Sequence, residues 1–437
     1  MIDIKLIREN PDLVKKNIKK KFQDEKLSLV DEVKTSDSKW RSLKAKADKL
    51  RQERNSISKE ISEAKKSKDN KKASELLKKA KLIPKKIEYL ETQTKALQTE
   101  ISEIMKKIPN IIHESVPIGK SDKDNVEREK IGVPKKLTFP IKGHAELGES
   151  LGVLDFDTSA ETSGNGFYYI KGDLALLNQA LISYARDFMT SKGYEYVEPP
   201  LMIRKKVLDG VYSKAEIDQM SYKVQDEDLY LIATSEHPLI GMFIGRTLNQ
   251  KELPIKITGY SMCFRKEIGS HGIDEKGIFR THQFNKQEMI VICKPEDSYK
   301  YYDELLNLSK ELFKKLKIPI RELESCSADL SDLKAKGADL EAFSPRQKKY
   351  FEITSVTNME AAQARRLGIK FVDKDGQKVF AHTLNNTAIA TSRALVAIME
   401  NNQTRDGDIK IPAILQKYMG GKKVIESKKP EKPKKKK

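Results

Sequence analysis

Two stretches of heptad spacing joined by a short polar turn constrain this chain more than any other feature. In the first, Leu43, Ala47, Leu50, Arg54, Ile57, Ile61 and Ala64 step by four and three residues in turn. In the second, Ala80, Ile83, Ile87, Leu90, Thr94, Leu97, Ile101, Ile104 and Ile108 keep the same alternation. Such spacing holds one apolar seam toward a partner helix. Ser67-Lys68-Asp69-Asn70 supplies a turn, so an antiparallel α-helical coiled-coil arm is expected over about residues 39–108. At ~1.5 Å per residue, roughly 30 residues a side reach about 45 Å. Pro84 should kink the second helix or start its continuous part. Upstream, residues 3–21 read as a short helical stretch that restarts at Asn10-Pro11, an N-cap followed by Pro at the first helical position.

Charge collects in the same place. Residues 39–108 hold 21 Lys+Arg against 10 Asp+Glu, and the tail 422–437 holds 9 Lys against 2 Glu. The rest of the +19 chain is nearly neutral. Basic appendages attract polyanions, nucleic acid first; the plainer alternative is that Lys-rich faces keep a long helix soluble. The tail is expected to be a solvated, disordered segment. No apolar run approaches the ~20 residues of a membrane span. Met1-Ile2-Asp3 runs to Lys5 and Arg8 without an apolar stretch, so no secretory signal is expected. Cys263, Cys293 and Cys326 stand far apart, which argues against a disulfide framework or a Cys-rich zinc site and for a reducing, cytoplasmic setting.

The expected organisation is an N-terminal domain over 1–112, a Pro- and Gly-containing linker over 113–140, a mixed body over 141–421 and the tail. In the body, helices are expected at 173–192, 296–316, 330–337 and 387–402. Strands are expected at 194–203, 230–233, 255–265, 287–293 and 350–355. Strands without regular βαβ alternation suggest an α+β body built on an antiparallel sheet with flanking helices.

Four segments concentrate polar chemistry. They are Thr234-Ser235-Glu236-His237; Phe264-Arg265-Lys266-Glu267, leading through Gly269, Gly272 and Gly277 to Arg280-Thr281-His282-Gln283-Phe284 and Glu288; Glu352-Ile353-Thr354-Ser355 with Asn358, Gln363 and Arg365-Arg366; and Asn385-Asn386-Thr387 to Arg393. Arg265 and Glu267 are expected to alternate on a strand and share a face, as a phosphate and an amine of one nucleotide would need. Phe284 offers a ring for base stacking opposite Arg393, and guanidinium groups at 265, 280 and 393 suit phosphate oxygens. Singly, each has a bland reading: a surface ion pair, a core ring, a loop matching neither common phosphate-binding pattern. His237, His282 and His382 lack metal-ligand spacing, and no nucleophile triad is visible.

Together the segments resemble the class II aminoacyl-tRNA synthetases, and closely the seryl-tRNA synthetases in their standard, archaeal-like form. Phe264-Arg265-Lys266-Glu267 is similar to motif 2, Asn385–Arg393 to motif 3, and Gly193–Pro200 to motif 1 at a dimer interface. The opening Asp3–Pro11 run and the arm also stand in the right order. The zinc-dependent form is not expected, since no cysteine stands at a suitable place.

The resemblance implies that serine and ATP give seryl-adenylate, from which serine passes to the 3′ end of serine tRNA; whether selenocysteine tRNA is also charged stays open. It implies that Arg265 and Arg393 are catalytic, with Arg265 on the α-phosphate and Glu267 on the adenine amine. Phe284 stacks one adenine face, and Arg393 covers the other and the γ-phosphate. Lys266, Thr281, Glu352, Ile353, Thr354 and Ser355 complete the ATP site, Glu352 and Ser355 with Mg²⁺. Thr234, Ser235, Glu236, Arg265 and Glu288 bind serine, with Asn385 and Thr387 near its hydroxyl. The arm would grip the long variable arm of the tRNA by shape, in a homodimer. Three departures from the family pattern are Met359–Ala362, Thr281 and Arg346.

The alternatives are a non-catalytic synthetase-like tRNA-binding protein, another class II synthetase, and a coiled-coil nucleic-acid-binding protein. The first should have lost one of Arg265, Glu267, Glu288 or Arg393. The second should carry an anticodon-binding domain that residues 405–437 are too short to form. The third leaves the body without a role.

Overall fold

The structure, a computed structural model, describes residues 1–212, 214–267 and 277–426. Gly269 and Gly272, and the expected disorder from residue 427 onward, lie outside the described residues. The chain divides into two compact units, Met1–Ile111 and Ile112–Lys437.

The first unit comprises helices α1 (Ile4–Glu9), α2 (Pro11–Lys20), α3 (Leu27–Lys66) and α4 (Asn70–Lys107). Asn10 caps α2, its Oδ1 accepting from the Leu13 amide at 3.1 Å. The arm is longer than the heptads suggest, because α3 starts at Leu27 rather than near residue 39. Its added turns bury Val30 and Val33 against Ile7, Val14 and Ile18 of the short helices, Met105 of α4 and Ile108 just past its end. Buried Asp37 ties this base together, accepting from Arg8 Nη2 at 2.7 Å and Arg41 Nε at 3.0 Å. Farther out, Ile57, Leu76, Ile83 and Ile87 form the seam, while Arg54 faces solvent. Lys68 takes a left-handed φ of 57° in the turn, and Asp69 caps α4 by accepting from the Lys72 amide at 3.0 Å. α4 begins at Asn70 and runs through Pro84, so Pro84 is not its start. Ile83 and Ile87 on either side are buried in the seam, and that packing offsets the hydrogen bond Pro cannot donate.

The second unit is α+β, as expected. Its sheet contains β1 (Val126–Ile131), β2 (Glu195–Tyr196), β3 (Ile255–Phe264), β4 (Gln283–Cys293), β5 (Ile320–Glu324), β6 (Lys336–Ser344), β7 (Lys349–Asn358) and β8 (His382–Ala390). The order is β1-β5-β6-β7-β8-β4-β3-β2, antiparallel except for the β2–β3 edge. Helices α5 (Gly172–Ser191), α6 (Ser298–Leu316) and α8 (Thr391–Asn402) cover one face; α7 (Ala361–Leu367) follows β7 on the other side. Alternation on β4 sorts its residues. Met289, Val291 and Cys293 enter the core under α5 and α6, while Ile290 and Ile292 join the cluster on the opposite face, with Leu239 and Leu367.

Several elements differ from expectation. The stretch read as linker supplies β1, whose register runs Val126 opposite Glu324 to Ile131 opposite Ile320. The helix expected at 330–337 is absent: turns lead into β6, whose alternate residues Ala338, Leu340 and Ala342 are core. The 194–203 strand is two short strands, since Pro199-Pro200 cannot donate to a ladder. The helix expected from 387 starts at Thr391, after β8 ends. Val424–Ile425, inside the expected tail, pairs with Ile409–Lys410. Among the described residues no helix is long and apolar enough to cross a membrane.

Candidate active site

The centre of the sheet carries a buried polar cluster. Glu288 on β4 stands opposite Gly259 of β3 and Thr387 of β8. The side chain is 1% exposed. Its Oε1 accepts from Thr234 Oγ1 at 3.1 Å and Thr387 Oγ1 at 3.2 Å, and pairs with the Lys286 ammonium two residues earlier on the same face. Its Oε2 has no hydrogen-bond partner. Gly259 approaches so closely that a Cβ there would lie 2.8 Å from the Val197 carbonyl oxygen.

Beside it, the turn after β-rich residues 230–233 presents Thr234, Ser235 and Glu236. Ser235 Oγ donates to the Gly259 carbonyl at 2.9 Å and is wholly buried, so it fastens this turn to β3. Glu236 Oε1 accepts from Gln363 Nε2 of α7 at 3.0 Å. Burial, and then the nearby Glu288 carboxylate, push Glu236 up to about 7, against the Gln363 hydrogen bond. Burial, then Lys286 and Arg265, drive His237 down to about 3, so it is a neutral ring packed edge-on to Tyr212 at 4.8 Å.

Toward solvent the cluster opens into a cleft lined by Arg265, Glu267, Phe279, Thr281, Phe284, Lys286, Glu352, Ile353, Thr354, Thr387 and Arg393, among others. Arg265 does not lie on the strand: β3 ends at Phe264. Its Nε donates to the Ala233 carbonyl at 3.2 Å, and its guanidinium stacks 5.2 Å from the Phe284 ring centre. Glu267 reaches the cleft through a left-handed φ of 45°, not through strand alternation, and lies 3.8 Å from Arg280. Lys266 turns away, its Nζ donating to the Asp218 carbonyl at 3.1 Å. Thr281 is buried and donates to the Gln283 carbonyl at 2.8 Å.

Arg393, in the first turn of α8, pairs with Glu352 Oε1 at 3.1 Å and lies 5.2 Å from the Phe279 ring centre rather than over Phe284. Burial raises Glu352, but Arg393 more than offsets it and holds the carboxyl below its ordinary value. Burial, then Glu352, push the neighbouring Asp339 up to about 6. Asp339 stands opposite Ser355 across the β6–β7 ladder. Asn385 and Thr387 share the site face of β8, whereas Asn386 points away and donates to the Leu305 carbonyl at 2.9 Å. Asn385 Oδ1 is buried without a hydrogen-bond partner.

Three residues at the site had no assigned role in the sequence. Lys286 was legible, since i and i+2 on a strand share a face with Glu288. Gln363 follows the Glu352–Ser355 segment in sequence, but only the fold brings α7 to Glu236. Asp339 carries no signal in the sequence: the expected helix ends at 337, and no strand is expected where β6 runs.

Residues 1–112 match the family described as "Seryl-tRNA synthetase N-terminal domain". Residues 222–402 match "tRNA synthetase class II core domain (G, H, P, S and T)". The chain is 42% identical over 427 residues to a serine–tRNA ligase of Methanospirillum hungatei, covering 97% of this chain and 100% of that one. It is 43% identical over 446 residues to the serine–tRNA ligase of Pyrococcus abyssi, covering 97% and 98%. A crystal structure of seryl-tRNA synthetase from Pyrococcus horikoshii complexed with ATP superposes with a TM-score of 0.92 at 42% identity, covering 98% of this chain and 100% of that one. A cytoplasmic serine–tRNA ligase from Naegleria fowleri in complex with AMP gives 0.87 at 34% identity, covering 98% and 99%. With close relatives matched along nearly its whole length, the chain belongs to the seryl-tRNA synthetase family.

Proposed function

We propose that the chain activates L-serine with ATP, releasing pyrophosphate, and passes the seryl group from the adenylate to the 3′ end of serine tRNA. The observation that carries the amino-acid half is the buried Glu236–Glu288 pair, with Glu288 Oε2 unpartnered. Two carboxylates out of water, with one resident ammonium on Glu288 from Lys286, leave a negative charge that favours a second cation, and the serine ammonium is that cation. Thr234 and Ser235 fix the turn, while Thr387 and Asn385 face the serine hydroxyl. A buried acceptor left unpaired, such as Asn385 Oδ1, disfavours alanine in place of serine.

The nucleotide occupies the cleft beyond. A serine carboxylate oxygen bonds the α-phosphorus as the bond to the pyrophosphate oxygen breaks. Negative charge grows on the α-phosphate, where Arg265 is already oriented by the Ala233 carbonyl. Phe284 takes one face of adenine once ATP displaces Arg265 from its ring, and Arg393, kept in place against Phe279, takes the other face and reaches the γ-phosphate. Glu267 accepts from the adenine amine, and Thr281, Ile353 and Thr354 wall the site. Lys266 serves by fixing the turn between its neighbours, its amine being engaged by Asp218. Glu352 and Ser355, with Asp339 alongside, are the hard oxygen donors that would hold Mg²⁺ accompanying ATP; bound there, it neutralises phosphate charge.

The first unit is read as the tRNA-binding domain, gripping the long variable arm in a cytoplasmic homodimer. Charging of serine tRNA with labelled serine tests the whole reading. The full-length chain should charge that tRNA and fail on a version lacking the long variable arm. Equal charging of both would remove the role of the arm; charging of neither would remove the function.

A further inference from the structure

A buried chain of contacts, outside the cleft, links the two ends of α8. At the carboxyl end, Gln403 clamps the main chain of Lys142: its Oε1 accepts from the Lys142 amide at 3.0 Å and its Nε2 donates to the Lys142 carbonyl at 3.0 Å. One turn back, Glu400, 1% exposed, accepts from Ser344 Oγ and from Arg346 Nε at 3.3 Å. Its Oε1 faces His144 Nδ1 at 3.6 Å. His144, 2% exposed, uses its other nitrogen: Nε2 accepts from the Ile278 amide at 3.2 Å. That acceptance requires a bare Nε2, so the ring proton sits on Nδ1, toward the carboxylate. The approach is tight. Gly277 has φ 145°, and a Cβ there would lie 2.1 Å from His144 Nε2. The residue after Ile278 is Phe279, whose ring lies under Arg393 at the start of α8.

Contacts therefore run from α8 through His144 and Ile278 back to α8. Only its last two members, Phe279 and Arg393, line the cleft. Resting on the ATP reading above, we propose that His144 is a positioning residue: by accepting the Ile278 amide proton it holds Phe279 against the Arg393 guanidinium, on the nucleotide side of the cleft. Arg346, a departure from the family pattern, acts here through Glu400 rather than at the reacting atoms.

The test compares His144→Leu, which fills the space without an acceptor, with His144→Gln, whose amide oxygen can replace Nε2. In serine-dependent pyrophosphate exchange, His144→Leu should raise KM for ATP by about tenfold. KM for serine should stay within about twofold, because the Glu288 cluster is not in the chain of contacts. His144→Gln should recover most of the loss. A purely structural residue would instead raise both KM values together, or show no rescue by Gln; either overturns the proposal. Amide hydrogen exchange of the unsubstituted chain gives a readout free of catalysis: Ile278 should be strongly protected, and rapid exchange there overturns the proposal even if His144→Leu fails to fold. Absence of exchange activity in the unsubstituted chain, with Ile278 protected, would fault the functional reading and leave the anchor standing.

Discussion

Replacing Glu236 by Gln should make this protein more stable and less active, and the size of the gain follows from the site. Glu236 is buried beside Glu288 and titrates at about 7 when folded, against an ordinary value of 4.5. Between those values the folded protein holds a proton that the unfolded chain releases. Stability is therefore fully present below about pH 4.5 and falls as pH rises through 7. The difference corresponds to about 3 kcal/mol at pH 8. A glutamine keeps the acceptor for Gln363 Nε2 and removes the charge. Thermal scans at pH 8 should show Glu236→Gln melting about 6 °C above the unsubstituted chain, at roughly 2 °C per kcal/mol. At pH 4 the gap should close. The same variant should lose serine activation by about a hundredfold or more, since one of the two charges facing the ammonium is gone. A variant less stable at pH 8, or a gap equal at both pH values, would refute the argument that burying a charged Glu236 beside Glu288 costs stability.

Three other outcomes follow from the same geometry. Asp37→Asn removes the carboxylate that holds Arg8 and Arg41, both partly open to water, and should cost about 1–2 kcal/mol at pH 7, read as earlier loss of arm helicity on heating. Since burial raises Asp37 but Arg8 and Arg41 more than offset it, that support should fade in the unsubstituted chain only as pH falls below the ordinary 3.8. Gly277→Ala forces a Cβ onto His144 at a φ of 145° and should raise KM for ATP at least as far as His144→Leu does. Changing Lys46, Lys49, Lys85 and Lys86, which flank one patch on the arm, to Gln should weaken tRNA charging and reduce its salt dependence, with each lost phosphate contact lowering the slope by about 1. Pyrophosphate exchange, which needs no tRNA, should be unchanged.

The arm was the most legible part of the chain, because a heptad seam states its partner in its own spacing. Its true start was not: Val30 and Val33 are buried by α1 and α2, and no local period announces a contact made by another helix. In the body, long apolar runs such as Ile255–Phe264 read correctly as strands. β6 did not, since Lys334-Ala-Lys-Gly-Ala looks helical and only the sheet makes Ala338 and Leu340 core. The cleft residues were visible as motifs, but their geometry was not. Glu267 enters through a left-handed turn and Arg393 rests on Phe279, and neither can be read from spacing. Lys286 shows the reverse case, where strand alternation alone places it beside Glu288.

Serine-dependent exchange of labelled pyrophosphate into ATP, run beside alanine, threonine and cysteine, tests the central reading most directly. It asks whether the Glu236–Glu288 cluster and the Arg265–Arg393 cleft act on one amino acid and one nucleotide together. Exchange should occur with serine alone and be abolished in Arg265→Ala and Glu288→Ala. Exchange driven equally by threonine or alanine, or none with any amino acid from folded protein supplied with Mg²⁺, would contradict it.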